Sequence, residues 1–167
     1  MTDDLADPDL AAAEQMWAEY AAARPDLVAT GPEHTVEQFG DSRSLADELL
    51  DLVMHGPKRA TADLVAEFVR QGDSLPRVGG HWIACDGAGR PRVVLRSTEL
   101  RVGPFDSVDE VFAFDEGEDD RTLRSWKDNH QRYWERTCAA RGTQFSPQDE
   151  VMFERFEVVW PPELADR

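Results

Sequence analysis

Gly56-Pro57-Lys58-Arg59-Ala60-Thr61 stands between two apolar periodicities and sets a lysine and a threonine three residues apart. Upstream of it, Leu45, Leu49, Leu52 and Val53 recur at i, i+4, i+7 and i+8, which is one face of a helix, and Gly56 supplies the stop. Downstream, Leu64, Val65 and Phe68 begin a second amphipathic run. The hexapeptide reads as a pinned turn that presents an amine and a hydroxyl at defined places. Thr61 also reads as an N-cap of the run that follows, a role whose loss costs about 1 kcal/mol. Working back toward the N-terminus, Ser44 followed by Asp47 and Glu48 resembles a cap for the first of these helices. Thr30-Gly31-Pro32 is a turn, and residues 9–23 place Leu10, Ala13, Met16, Trp17, Tyr20 and Ala21 at helical spacing until Arg24-Pro25-Asp26 closes that helix.

The pattern changes at Gly79-Gly80. His81-Trp82-Ile83-Ala84-Cys85 reads as a strand, Asp86-Gly87-Ala88-Gly89 as a turn and Arg92 to Val102 as the return strand of a β-hairpin. Val108, Val111 and Phe112 suggest a short helix. Leu123, Trp126, His130, Tyr133, Trp134 and Cys138 then describe the apolar face of a long helix ending near Gly142. In the last segment Val151 and Phe153 lie on one face but Phe156, Val158 and Trp160 on the other, which a strand achieves at a bulge or bend, here near Glu154-Arg155. Strands and helices mix without a regular βαβ alternation, so the expected class is α+β.

At 167 residues and 41% hydrophobic, the chain suits one compact domain with an appended element. No run of about 18 apolar residues occurs, and the start, Met1-Thr2-Asp3-Asp4, is opposite in charge to a secretory leader, so the expectation is a cytoplasmic protein without a membrane partner. Cys85 and Cys138 lie far apart, and His34, His55, His81 and His130 show no ligand spacing, so neither disulfides nor a metal or cofactor is expected. His81, at a strand start, reads as a surface residue. The formal charge of −16 argues against polyanionic partners, because phosphate binding rests on lysine and arginine. Its distribution softens that argument. Residues 1–37 hold nine carboxylates against Arg24, and Asp106 to Asp120 adds eight acids and no base, whereas residues 77–101 carry five arginines against Asp86 and Glu99.

Several of these stretches together resemble the ASCH family, the activating-signal-cointegrator homology domains, whose fold is a small β-barrel related to the PUA RNA-binding domains. The carriers are Phe39-Gly40-Asp41-Ser42, the helix Leu45 to Leu50, Gly56 to Thr61, Val94 to Leu100, Phe114 to Leu123 and Phe153 to Val159. The family signature G-x-K-x-x-T-x-R is matched by Gly56, Lys58 and Thr61, while Asp63 stands where arginine is often found. The resemblance implies a PUA-like β-barrel flanked by helices over residues 38–162, with residues 1–37 an acidic helical extension. It also implies RNA or nucleoside binding in a cleft beside the barrel. Some similar members are hydrolases, one group removing the acyl group from N4-acetylcytidine and others cleaving RNA. In the deacylase group a lysine and a threonine of the K-x-x-T motif work with a glutamate. By motif position these are Lys58, Thr61 and Glu118, with Glu116 two residues earlier as the other candidate.

The residue types suit that chemistry. A threonine hydroxyl needs a base within reach, a lysine can serve if its surroundings favour the neutral amine, and a carboxylate can carry a proton to a leaving amine. Arg59, beside Lys58, and Arg96 are candidate ligand-binding cations. Trp82, Trp126, Trp134 and Trp160 fall on periodic apolar faces and read mainly as core, with Trp82 the one best placed to stack a base. Two competing readings are a noncatalytic RNA-binding module and a protein-interaction module that docks a partner or a second copy through the N-terminal helix.

Overall fold

The computed structural model describes residues 2–167. In chain order the elements are α1 (Leu10–Ala23), α2 (Pro25–Thr30), β1 (His34–Gln38), α3 (Arg43–His55), β2 (Ala60–Leu64), α4 (Val65–Gln71), β3 (His81–Cys85), β4 (Pro91–Pro104), a 3-10 turn (Phe105–Ser107), α5 (Glu110–Glu116), α6 (Leu123–Ala140) and β5 (Glu150–Trp160). The strands form one five-stranded half-barrel sheet in the order β1-β3-β4-β5-β2, and the class is α+β. Two compact units divide the chain: one takes Met1–Gly56, Pro76–Glu99 and Phe156–Arg167, the other Pro57–Leu75 and Leu100–Arg155.

In the first unit β1 runs parallel to β3, from His34↔His81 to Gln38↔Cys85, and β3 pairs antiparallel with β4. The sequence pattern does not reveal β1, whose five residues are only half-buried on alternate positions. Every residue of β3 is buried, because Ile83 joins Ala13, Tyr20, Val94 and Val159 on one face while Trp82 and Ala84 join Phe39, Leu50, Val53 and Phe156 on the other. The apolar stripe of α1 is thus consumed within this unit. His81, expected at the surface, is 4% exposed. Its Nδ1–H donates to the Gly31 carbonyl (2.8 Å) and its Nε2 accepts from the Tyr20 hydroxyl (2.8 Å), and burial, which disfavours a charged ring, lowers its pKa. A second short helix, α2, starts where the chain was expected to turn, since Pro25 occupies its first position, where a missing N–H costs nothing. The cap of α3 is Ser42 rather than Ser44, its hydroxyl accepting from the Leu45 N–H at 3.2 Å.

In the second unit β2 pairs antiparallel with β5, Thr61 facing Glu154 and Ala62 facing Phe153. Thr61 is therefore a strand residue, not a helix cap; α4 begins directly at Val65 with no side-chain cap. The β2–β5 register runs from Ala60↔Arg155 to Leu64↔Val151 without a shift. No bulge is needed at Glu154-Arg155, because β5 is buried on both faces: Val151 and Phe153 enter the core of this unit, and Phe156 and Val158 enter that of the first. The second unit's core gathers Leu64, Phe105, Phe112, Trp126, Trp134, Phe145 and Phe153, with Phe112 edge-on to Phe153 at 5.0 Å. Thr122 caps α6 by accepting from the Ser125 N–H at 3.1 Å, and this helix delivers Trp126, Trp134 and Cys138 to the core as its periodicity predicts. Among the described residues no helix is long and apolar enough to cross a membrane.

Candidate functional site

The loop before β2 is fastened to the C-terminal end of α5. The Arg59 N–H donates to the Asp115 carbonyl at 2.8 Å, and Gly117, in the left-handed region at φ 71°, lies against the loop so closely that a Cβ there would be 2.7 Å from the Lys58 nitrogen. Glycine is required on both counts. This approach turns the Lys58 side chain inward, where it is 1% exposed. Its ammonium donates to the Ala60 carbonyl (2.9 Å), to Glu118 Oε2 (3.1 Å), and to the Glu116 carbonyl and Oε1 (both 3.4 Å). The end of α5 adds the negative pole of its dipole to the same side.

Glu116 is the buried hub. The Trp126 indole N–H donates to its Oε2 and His130 Nε2 lies 3.0 Å from its Oε1, while His130 Nδ1 donates to the Trp126 carbonyl at 2.9 Å. The imidazole stacks on the Trp126 indole with ring centres 3.9 Å apart. Burial alone would raise the Glu116 pKa, but the charges of His130 and Lys58 outweigh it and hold the carboxyl well below the usual range. Glu118 moves the other way: burial and the neighbouring Glu116 carboxylate raise its proton affinity against the pull of Lys58. The two glutamates thus separate by environment. Glu116 is 2% exposed and filled with donors, whereas Glu118 is 26% exposed with its proton affinity raised.

The loop carrying Glu118 is held in uncommon backbone geometry, with Asp119 at φ 50° and Arg121 at φ 65°. Arg121 Nε donates to the Phe114 carbonyl at 2.9 Å and its guanidinium lies 3.5 Å over the Phe114 ring. Lys58 and Glu118, expected together from the motif, are in direct contact. Thr61 follows on β2, half-buried, with Glu154 opposite it in register. Arg59 is half-buried and its Nη1 donates to the Lys58 carbonyl at 2.6 Å. Trp82 and Arg96 belong to the first unit. There Trp82 is 8% exposed and packs against Phe39 and Phe156, and Arg96 pairs with Glu157 at 3.3 Å. The arginine-rich stretch is largely paired within the protein: Arg77 with Glu33, and Arg90 and Arg92 with Asp86.

Sequence reasoning missed Trp126 and His130. The available signal was a histidine four residues after a tryptophan on the apolar stripe of α6, in a chain whose acidic block precedes that helix. Glu116, Glu118 and His130 bring three ligand-type atoms within 4.8 Å of one another. The donor set does not fit a metal ion, however, since the Lys58 ammonium and the Trp126 indole already direct N–H groups at the two Glu116 oxygens, and Lys58 also donates to Glu118.

Asp63, where the family often has arginine, receives its own strand's Leu64 N–H at 2.8 Å, and burial pushes its pKa up to about 6. The fold therefore binds a proton at Asp63 more tightly than the unfolded chain does. The associated stability is present below the unfolded value near 3.9 and is lost as pH rises through about 6. Asp63→Asn should stabilise the protein by up to about 3 kcal/mol at pH 7–8 and by little at pH 4. Urea denaturation at the two pH values measures this, and an equal effect at both would refute the linkage.

A PUA-like α+β half-barrel with a buried lysine–glutamate site beside its first motif defines the class of this protein. The chain belongs to the ASCH domain family, whose model matches residues 35–160. A crystal structure of an ASCH domain from Lactobacillus crispatus JV V101 superposes with a TM-score of 0.82 at 24% identity, covering 90% of this chain and 95% of that one. The crystal structure of a protein from Enterococcus faecalis V583 matches with a TM-score of 0.77 at 30% identity, covering 90% of this chain and 89% of that one. No curated protein sequence matches this chain.

Proposed function

We propose that this protein hydrolyses an acylated nucleoside of the N4-acylcytidine kind, bound at Lys58, Thr61 and Glu118. The observation that carries this reading is the Lys58–Glu118 contact at 3.1 Å, in which the partly open carboxyl is the one whose proton affinity is raised, as a group that takes up and returns a proton needs. In this scheme Thr61 Oγ attacks the acyl carbon while its proton passes to the Glu118 carboxylate. The C–N bond then breaks, Glu118 returns the proton to the departing cytosine amine, and water releases the acyl group from Thr61 by the same steps. Lys58, whose N–H groups already meet four acceptors, supplies positive charge beside the developing oxyanion rather than acting as the base.

Membership of the ASCH family also supports RNA as a ligand class. Charge favours the smaller ligand: the second unit carries eleven bases against sixteen acids, a net −5, so a long polyanion gains little counterion-release energy there. The test is release of cytidine from N4-acetylcytidine by the purified protein. Folded Thr61→Ala should lose turnover, and Glu118→Gln should lower kcat by about 100-fold. A wild type that releases no cytidine would overturn the reading, and salt-dependent RNA binding would then identify a noncatalytic module.

A further inference from the structure

His130 meets two oxygen acceptors at once, the Trp126 carbonyl at Nδ1 (2.9 Å) and Glu116 Oε1 at Nε2 (3.0 Å). A neutral imidazole carries one N–H and can satisfy only one of them; the imidazolium satisfies both. Placing the proton on Glu116 instead would let its Oε1–H donate to Nε2, but would leave a neutral carboxyl facing the Lys58 ammonium and the Trp126 N–H that both donate to it. We propose that His130 is a positioning residue: its imidazolium, clamped between the Trp126 carbonyl and Glu116, holds Glu116 ionised, and Glu116 in turn fixes the Lys58 ammonium so that Glu118 is left to exchange its proton with a substrate. The kinetic part of this inference rests on the hydrolase reading; the charge state of His130 does not.

The charged groups facing His130 are Glu116 from α5, Glu118 from the loop after it and Lys58 from the loop before β2, and the indole of Trp126 on its own helix covers the ring. With His130 and Lys58 cationic and Glu116 anionic, the cluster is neutral when Glu118 is ionised. Remove the histidine charge and it is neutral only when Glu118 is protonated. His130 therefore sets the state in which Glu118 rests. Burial opposes a charged ring, but the Glu116 carboxylate outweighs it and raises the His130 pKa.

Two measurements on the full chain test this. Imidazole nitrogen shifts in the labelled wild type should show His130 doubly protonated above pH ~6.5, the ordinary midpoint, and Glu116→Gln should bring its titration down to that value or lower. A ring that is neutral at pH ~6.5 in the wild type overturns the proposal, as does a titration that Glu116→Gln leaves unmoved in a folded variant. In the second measurement His130→Gln, which keeps a donor but no charge, should lower kcat about tenfold with KM within about twofold, and move the Glu118 limb of the pH–rate profile upward by about one pH unit. A folded His130→Gln with lower kcat and an unmoved limb would reduce His130 to packing and sink the inference. If the wild type releases no cytidine, the imidazole titration alone decides, so failure of the hydrolase reading and failure of the His130 assignment remain distinct results.

Discussion

Lys58→Met should destabilise the protein by about 3–5 kcal/mol at neutral pH, because it removes one partner of a buried ion pair while leaving the others in place. The methionine matches the length of the lysine stem, so little volume is lost and the change isolates the charge. Glu116 would keep the Trp126 and His130 partners, but Glu118 would lose the ammonium that lies 3.1 Å from its Oε2. Desolvation and the Glu116 charge already raise the proton affinity of Glu118, and without Lys58 it rises further. The penalty should therefore shrink as pH falls, since protonating Glu118 removes the uncompensated charge, and grow toward pH 8. Urea melts of the wild type and the variant at about pH 5 and 8 measure this as a change in midpoint at constant m. A penalty below about 1 kcal/mol at pH 8 would mean that the ion pair is energetically idle. Under the hydrolase reading turnover disappears as well, because Lys58 supplies the positive charge nearest to Glu118.

How far the sequence discloses this arrangement depends on how each element is built. The helices α3 and α6 announce themselves because their apolar residues recur at 3.6; α6 buries Trp126, Trp134 and Cys138 from the predicted stripe, whereas α3 is turned by about one residue and buries Ala46, Leu50 and Val53, leaving Leu45, Leu49 and Leu52 partly exposed. The β3–β4 hairpin is legible from its turn. β2 is not, because Ala60-Thr61-Ala62-Asp63-Leu64 is short and runs into α4 with no turn between them, so the apolar residues on either side of the boundary merge into one false helical run. The face change along β5 suggests a bulge or bend only if one strand serves one core, and β5 serves two. In the site, the K-x-x-T spacing locates Lys58 and Thr61, but nothing local distinguishes Glu116 from Glu118. That distinction is tertiary: Trp126 and His130, ten and fourteen residues downstream, fill one carboxyl and leave the other partly open.

The geometry of the lysine turns on a backbone contact, and Gly117→Ala should break it. Gly117 lies at φ 71° and Gly142 at φ 76°, so alanine at either pays a left-handed backbone cost of about 1–2 kcal/mol. At Gly142 a Cβ meets nothing within 4 Å, so Gly142→Ala measures that backbone cost alone. At Gly117 the Cβ falls 2.7 Å from the Lys58 nitrogen, 2.8 Å from its Cα and 2.9 Å from the Pro57 carbonyl carbon, all of them backbone atoms that cannot rotate aside. Either the loop before β2 or the end of α5 must move. Gly117→Ala should thus cost roughly 2 kcal/mol or more beyond Gly142→Ala, in the range of overpacked cores. The displaced loop carries Lys58 away from Glu118, and a shift of about 1 Å at a catalytic group costs about 100-fold in rate, so turnover should fall by that order while Gly142→Ala leaves it unchanged. Equal stability losses in the two variants would show that the chain relaxes around the new methyl group without strain, and that the close approach of Gly117 does not set the position of Lys58.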